Sequence, residues 1–470
     1  MIKASTAANT FNQGSYGARP GRTSTDPPFL SLLQNEISAI TRTSLCIGPN
    51  DAAQCYDRLI PNQALMSCMS HGMPISAAKC IGTTLYNAKY FLRTATSQST
   101  SFWSHTNTTP IYGTGQGSGI SPGVCCVTYS DLFDLHSVNN PGSMYRTPNN
   151  TSTITINNVG FVDDTTTTVS DHHLDQSMTP SQLVSSIASS LQQWSNVLTV
   201  SGGALELTKT SVYVLWWLFN ENGTPYLSDL TNRSITLTRP DNNMSHTIPL
   251  CPPSQSFKIL GFHLAPDQTM TQQFSVLLTK SNRIANAISS SSVTHREAFL
   301  AYFSVFQPAV SYVLPLTTFT PAQCHRLQVK PTQLFLQKCG FVSNMHRSIV
   351  FAARQSGGLG FHHPYTEQGI AHLMKLIQTL RTPGYTRQLL LLAIHEWQIS
   401  SGMSFSLLKY PAKPCPHLEG KWLLSTRQFL ATIDGSVDMD TSFSLSLRNV
   451  RMIYILWTPS LLPLPFPPNV

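Results

Sequence analysis

Phe161-Val162-Asp163-Asp164 sets two adjacent carboxylates at a chain reversal between two runs of strand composition. Thr151 to Phe161, before it, is rich in Thr, Ile, Val and Asn. Thr165 to Val169, after it, is almost entirely β-branched, so both flanks read as strands of one hairpin. Two carboxylates on a tight turn repel each other unless a positive charge sits between them, and a hard divalent cation such as Mg²⁺ suits oxygen ligands. Taken alone, the pair reads first as a solvated acidic turn. Further acids upstream change that reading. Asp51-Ala-Ala-Gln-Cys-Tyr56-Asp57 follows the apolar run Leu45-Cys46-Ile47 and spaces two acids six positions apart. Gly115-Gln116-Gly117-Ser118-Gly119-Ile120-Ser121-Pro122 lies between that segment and the hairpin.

In this order the three segments resemble the reverse transcriptase domain of retroelements, most closely the non-LTR retrotransposon and group II intron branch. Asp51 to Asp57 matches the family's first palm motif, Gln116 to Pro122 the second and Phe161 to Asp164 the third. Tyr16-Gly17-Ala18-Arg19-Pro20-Gly21-Arg22-Thr23-Ser24-Thr25-Asp26 looks like the fingers motif, with Ala18 where an aromatic is common. Leu205-Glu206-Leu207-Thr208-Lys209-Thr210 resembles the fourth palm motif, often Leu-Asn-x-x-Lys-Thr. Leu260-Gly261-Phe262-His263-Leu264 resembles the primer-grip strand. Six motifs in family order are far more specific than any one of them.

The resemblance implies an α+β right-hand polymerase with a ferredoxin-like palm. Residues 1–50 would be partial fingers, 51–265 the palm with finger insertions, 270–400 a helical thumb with its following region, and 401–470 a partly unfolded C-terminal extension. It implies an RNA-directed DNA polymerase that uses dNTPs, an RNA template and a DNA primer or target DNA. Asp51, Asp163 and Asp164 would be the catalytic ligands of Mg²⁺ or Mn²⁺, joined by the Ala52 carbonyl; Asp164 is expected to be the less direct ligand, because successive strand residues face opposite ways. Tyr56 stands where the family stacks an aromatic under the incoming sugar and excludes a 2′-hydroxyl. Gln116, Gly117, Lys209, Arg19 and Arg22 are the remaining nucleotide-binding candidates, and Ser118, Leu260 and Gly261 the template and primer contacts, with a cap of the following helix the alternative for Ser118. Asp57 is expected to brace backbone or Arg58. Two other readings stay open: an RNA-dependent RNA polymerase, which normally has Gly before Asp-Asp, and a truncated remnant that only binds nucleic acid, because the chain begins almost on the fingers motif.

Composition fits a polyanionic partner. The 470 residues allow about two to four folded units, 41% are hydrophobic, and the net charge is +8 although only 11% are charged. Between Gln272 and Gln355 eight Lys and Arg face one acid, Glu297, which suits contact with a phosphate backbone. Ten cysteines show no C-x-x-C pair or zinc-finger spacing and fit a reducing, intracellular setting in cytoplasm or nucleus. No signal peptide and no membrane-spanning run is expected.

Periodicity predicts helices over Phe29–Thr43, Ala64–Ser70, Ile75–Phe91, Pro122–Leu135 and Thr179–Val200, the last begun by Thr179-Pro180. A hairpin is expected from Leu92–Thr96 and Ser101–Ser104, a strand over Val212–Phe219, and mostly helix over 270–400. Gly357-Gly358-Leu359-Gly360-Phe361 followed by Gln368-Gly369 looks like a stretch that recurs after the thumb in the same family. Pro459 to Pro468 reads as unfolded.

Overall fold

A computed structural model describes residues 1–8, 10–53, 55–115, 118–147, 153–171, 178–438 and 454–456. Gln116, Gly117, the start of the first hairpin flank at Thr151 and the Pro459–Pro468 segment lie outside the described residues. The chain divides into two compact units, Met1–Ser31 with Thr43–Pro253, and Leu32–Arg42 with Ser254–Val470. Both helices and strands are well represented, so the fold is mixed α+β.

The first unit contains, in chain order, β1 (Leu45–Asp51), α1 (Ser121–Val138), β2 (Asn158–Phe161), β3 (Asp164–Ser170), α2 (Pro180–Val200), β4 (Val212–Leu215), β5 (Ser234–Thr238) and β6 (Ser245–Cys251). They form a six-stranded sheet in the order β5-β6-β4-β1-β3-β2. Neighbours are antiparallel except β4 and β6, which run parallel. The first four strands and two helices have β-α-β-β-α-β connectivity.

Helix α2 forms where the sequence says it should. Thr179 and Gln182 make a reciprocal capping box, and Leu183, Ile187, Leu191, Trp194 and Leu198 recur at helical spacing. That stripe is buried in one core with Cys46, Val169 and Val214 of the sheet and Tyr129 and Phe133 of α1. Each such large side chain contributes roughly 1.5–3 kcal/mol by leaving water. Gly48 lets the helix approach: a Cβ there would lie 3.0 Å from a Leu191 methyl. The Trp194 indole donates to Asn50 Oδ1 at 3.1 Å, which fixes the strand one residue before Asp51.

Several expected elements are divided or displaced. The run Val212–Phe219 is two strands, β4 and Trp217–Phe219, which pairs with Pro225–Leu227 in a separate sheet. The flank before the acidic turn breaks at Asn157, whose carbonyl accepts from Thr168 N–H and whose amide donates to the Asn140 carbonyl. The helix from Ile75 stops at Tyr86, closed by Asn87, so the following hairpin pairs Lys89–Tyr90 with Trp103–Ser104.

The second unit is mainly helical: α3 (Thr271–Ser290), α4 (Pro321–Lys338), α5 (Pro364–Arg381), α6 (Tyr385–Ser400) and α7 (Trp422–Thr432). The last lies in the region expected to be partly unfolded. It is anchored by Glu36, whose carboxylate accepts from the N–H groups of Lys421 (3.1 Å), Trp422 (3.3 Å) and Leu423 (3.1 Å). Full burial pushes the Glu36 carboxyl up to about 7 against those three donations. The glycine stretch has a structural role: Gly357 and Gly360 take positive φ, and Phe361 stacks on Tyr302 with ring centroids 4.0 Å apart. One expectation needs correction. His295–Leu316 is by length and composition long and apolar enough to cross a membrane, a run that interspersed Ser, Gln and Pro conceal. Its Tyr302, Phe306, Val310 and Leu314 are buried, while Leu300, Val305 and Tyr312 are exposed.

Candidate active site

Strand register brings the carboxylates together. Asp51, the last residue of β1, and Asp164, the first of β3, are Cα partners across the antiparallel ladder. Residues directly opposed in this way project to one face with Cβ atoms about 4.5–5.5 Å apart. Asp164 therefore stands squarely opposite Asp51, whereas Asp163 occupies the turn. Strand alternation does not govern a turn residue, which is why the expected ranking of the two was not secured by period alone. Val162 and Asp163 form the two-residue connection between β2 and β3, and Val162 takes φ 64. A β-branched residue in the left-handed region costs about 1–3 kcal/mol unless its surroundings hold it. Gly17 helps to hold it: a Cβ there would lie 2.9 Å from Val162 Cγ2 and 3.0 Å from its backbone nitrogen.

The segment after α2 closes the other side. Glu206 N–H donates to the Asp51 carbonyl at 2.9 Å, and Ala53 N–H donates to the Ala204 carbonyl at 2.8 Å. Ala52 N–H reaches the Asp163 carbonyl at 3.4 Å. A single 3₁₀ turn, Leu207–Lys209, then carries the Lys209 ammonium to 2.6 Å from Asp51 Oδ2. That hydrogen bond and the charge of Asp51 raise the Lys209 pKa, with smaller contributions from Glu206 and Asp163.

Tyr56 sits in the one-turn helix Cys55–Arg58, half-buried against the sheet's core. Burial, then the thiols of Cys125 and Cys55 and the charge of Asp163, push its hydroxyl up to about 12. Cys55 and Cys125 lie beneath it with sulfurs 3.4 Å apart. The loop before α1 folds onto this helix. Gly113, at φ 100, donates to the Leu59 carbonyl, and Thr114 N–H donates to the Tyr56 carbonyl at 2.9 Å. No other residue fits at Gly113, because a Cβ would lie 2.7 Å from Asp57 Cα. The Ser121 hydroxyl reaches the carbonyls of Thr114 (2.6 Å) and Gly115 (2.8 Å) and pins the loop.

Asp51, Asp163, Asp164, Tyr56, Lys209 and the Ala52 backbone thus share one end of the sheet. The other candidates make contacts of their own. Arg19 is buried, and its Nη1 donates to the carbonyls of Asn12 and Ser15 at 2.8 Å each while the guanidinium lies over Phe11. Burial and the neighbouring Arg22 lower its pKa, and its two carbonyl contacts tie it to its own loop. Arg22 is half-buried over the Tyr16 ring. Ser118 is exposed, and its hydroxyl accepts from Ile120 N–H at 3.4 Å, a cap for the turn that enters α1. Arg58 pairs with Asp241 at 2.8 Å instead of Asp57, which is exposed. Leu260 and Gly261, in the second unit, form a two-residue hairpin tip with both φ positive, and Tyr312 hydroxyl donates to the Leu260 carbonyl at 2.7 Å. Of the basic residues in that unit, Lys338 donates to the Ser291 carbonyl and Arg354 lies over Phe303, while Arg283, Arg296 and Lys330 are exposed.

Among the described residues no three His, Cys, Asp or Glu side chains are gathered as a metal cage. The donor set is instead an opposed carboxylate pair with a third carboxylate in the adjoining turn. The Lys209 ammonium pairs with Asp51 Oδ2 and offsets part of that negative charge. Mg²⁺ suits few protein carboxylates completed by water and substrate phosphates, so the residues fit such an ion.

No family model matches the chain, and no curated protein does. A solved structure of telomerase from Candida albicans, in complex with the TWJ fragment of telomeric RNA, is similar over 86% of this chain and 54% of its own, at 11% identity and a TM-score of 0.33. This chain spans about half the length of that neighbour. At that TM-score the likeness carries no weight for fold or function.

Sequence reasoning passed over four residues of the site. Ser121 belongs to the second palm-like motif, whose residue types do not signal that its hydroxyl holds the loop. Glu206 was read only as part of the Lys209 motif. Gly17 and Gly113 are needed for close backbone approach, which a single sequence signals only as a glycine.

Proposed function

We propose that the protein is a template-directed nucleotidyltransferase, an RNA-directed DNA polymerase of retroelement type. The observation that carries this reading is the β1–β3 register, which opposes Asp51 and Asp164 beside Asp163, Tyr56 and Lys209. The β-α-β-β-α-β sheet supports the palm assignment, and the helical second unit with its exposed cations supports a duplex-binding thumb.

Asp51, Asp163 and Asp164, with the Ala52 carbonyl, would hold Mg²⁺ or Mn²⁺. Bound there, the ion would supply Lewis-acid stabilisation of phosphoryl charge and a lower pKa for a primer 3′-hydroxyl. The protein's own residues do the rest. Tyr56 presents a rigid aromatic wall, braced by the Gly113–Ser121 loop, against which a deoxyribose fits and a 2′-hydroxyl does not. Its phenol stays protonated at any working pH. Lys209, exposed on a short turn, exchanges Asp51 for the negative charge of an incoming triphosphate.

Primer extension on RNA and DNA templates tests the reading, with Mg²⁺ and either deoxy- or ribonucleotides. Extension with deoxynucleotides on RNA is expected. Extension with ribonucleotides alone would identify an RNA-making polymerase instead, and none under any condition would leave the proposal without support.

A further inference from the structure

Between Asp57 and Asp131 the chain contains no acidic residue, while Lys79, Lys89 and Arg93 all lie there. Within this acid-free stretch a small hairpin stands out from the first unit. Lys89 pairs with Ser104 and Tyr90 with Trp103, and an isolated bridge joins Arg93 to Gln98 further out. Its aromatic rings face solvent: Trp103 is 57% exposed, Phe102 45%, Phe91 44% and Tyr90 37%. Strand alternation puts Tyr90 and Trp103 on one face and Phe91 and Phe102 on the other. The second pair meets at 5.8 Å between ring centroids, and the Lys89 ammonium lies 4.4 Å from the Phe102 centroid. Four exposed rings on one short hairpin are unfavourable in water unless something covers them.

We propose that this hairpin binds single-stranded nucleic acid, with bases stacked on Trp103, Tyr90 and Phe102 and phosphates met by Lys89 and Arg93. The chemistry selects this partner. Flat rings interleaved with cations match unpaired bases joined by phosphates, and any base has a face to stack. A duplex keeps its base faces covered, so it could use the cations alone. A membrane wedge would carry its apolar residues at the tip, whereas here the tip is Thr94, Thr96 and Ser97, hydrogen-bonded among themselves. The proposal goes beyond the polymerase reading, because such binding needs neither the carboxylates nor a nucleotide.

The test is fluorescence anisotropy of labelled 20-nucleotide RNA and DNA strands with the full chain, without nucleotides or divalent cations. Replacing Trp103 and Phe102 together by Ala should weaken binding of both strands at least about tenfold. Trp103→Phe should retain most of the affinity, and Lys89→Ala should reduce the salt slope by about one. Unchanged thermal melting checks that the surface variants are folded. Wild-type affinity in the double variant would overturn the proposal. So would an unchanged strand affinity accompanied by lost binding to anionic lipid vesicles.

Discussion

The ion pair between Lys209 and Asp51 makes a specific prediction about cation binding. The ammonium lies 2.6 Å from Asp51 Oδ2, and the side chains are 66% and 22% exposed. A divalent cation that coordinates Asp51 must displace it, so the free protein binds the metal against an existing interaction. Lys209→Met removes the charge and keeps most of the stem. An exposed ion pair of this kind is worth about 0.2–1 kcal/mol, so the variant should bind Mn²⁺ roughly 1.5- to 5-fold more tightly. The gain should shrink as salt rises from 0.02 to about 0.15 M, where charges are screened over about 8 Å. Titration of Mn²⁺ by electron paramagnetic resonance, without nucleotide, measures the affinity directly. The same variant should extend a primer more slowly, because no cation then meets the triphosphate. Weaker Mn²⁺ binding in Lys209→Met would refute the reasoning, since it would make the lysine a partner of the metal rather than its competitor.

Three more predictions concern other residues. Asp51→Asn and Asp163→Asn should each abolish template-dependent synthesis and leave template binding within about twofold, measured by primer extension and filter binding; equal loss of both would remove their catalytic assignment. Tyr56→Ala should relax the preference for deoxy- over ribonucleotides in competition assays, and an unchanged preference would take that role from the ring. Glu36 gives a pH effect. Its folded carboxyl is raised from 4.5 to about 7, so the fold holds the proton more tightly than the unfolded chain does. The stability this brings is complete below about pH 4.5 and is lost as pH rises toward 7, a change of about 3 kcal/mol at roughly 1.4 kcal/mol per unit. Thermal melts between pH 5 and 8 should show that slope in the wild type and not in Glu36→Gln; parallel slopes would count against it.

How much the sequence disclosed follows from how local each signal was. Helix α2 could be read closely because Thr179-Pro180 marks its start and its apolar stripe keeps one period to Leu198. The acidic hairpin was legible for the same reason, with β-branched runs on both sides of a tight reversal. The break at Asn157 was not, because what ends the strand is a pair of hydrogen bonds to residues outside it. Strands β5 and β6 were missed. The first is short, the second opens on the polar run Ser245-His246-Thr247, and their place in the sheet depends on a parallel pairing of Leu250 with Val212 that no local pattern encodes. The fold of the region after residue 400 depends likewise on Glu36, nearly four hundred positions earlier. In the site, residue types and order were legible. Their register was not: it took the β1–β3 ladder to oppose Asp164 to Asp51 and to give Asp163 to the turn. For Arg19 a motif names the residue without saying which carbonyls its guanidinium finds.

The central claim is that the end of β1 and the turn before β3 hold one divalent-cation site. Iron(II) substituted for Mg²⁺, with ascorbate and peroxide, generates hydroxyl radicals that cut the backbone next to the bound metal, and mass spectrometry locates the cuts. The account predicts paired cleavage near Asp51 and near Asp163–Asp164, suppressed by excess Mg²⁺ and absent in Asp51→Asn. Cleavage confined to other parts of the chain, or cuts near Asp51 without cuts at the turn, would contradict it.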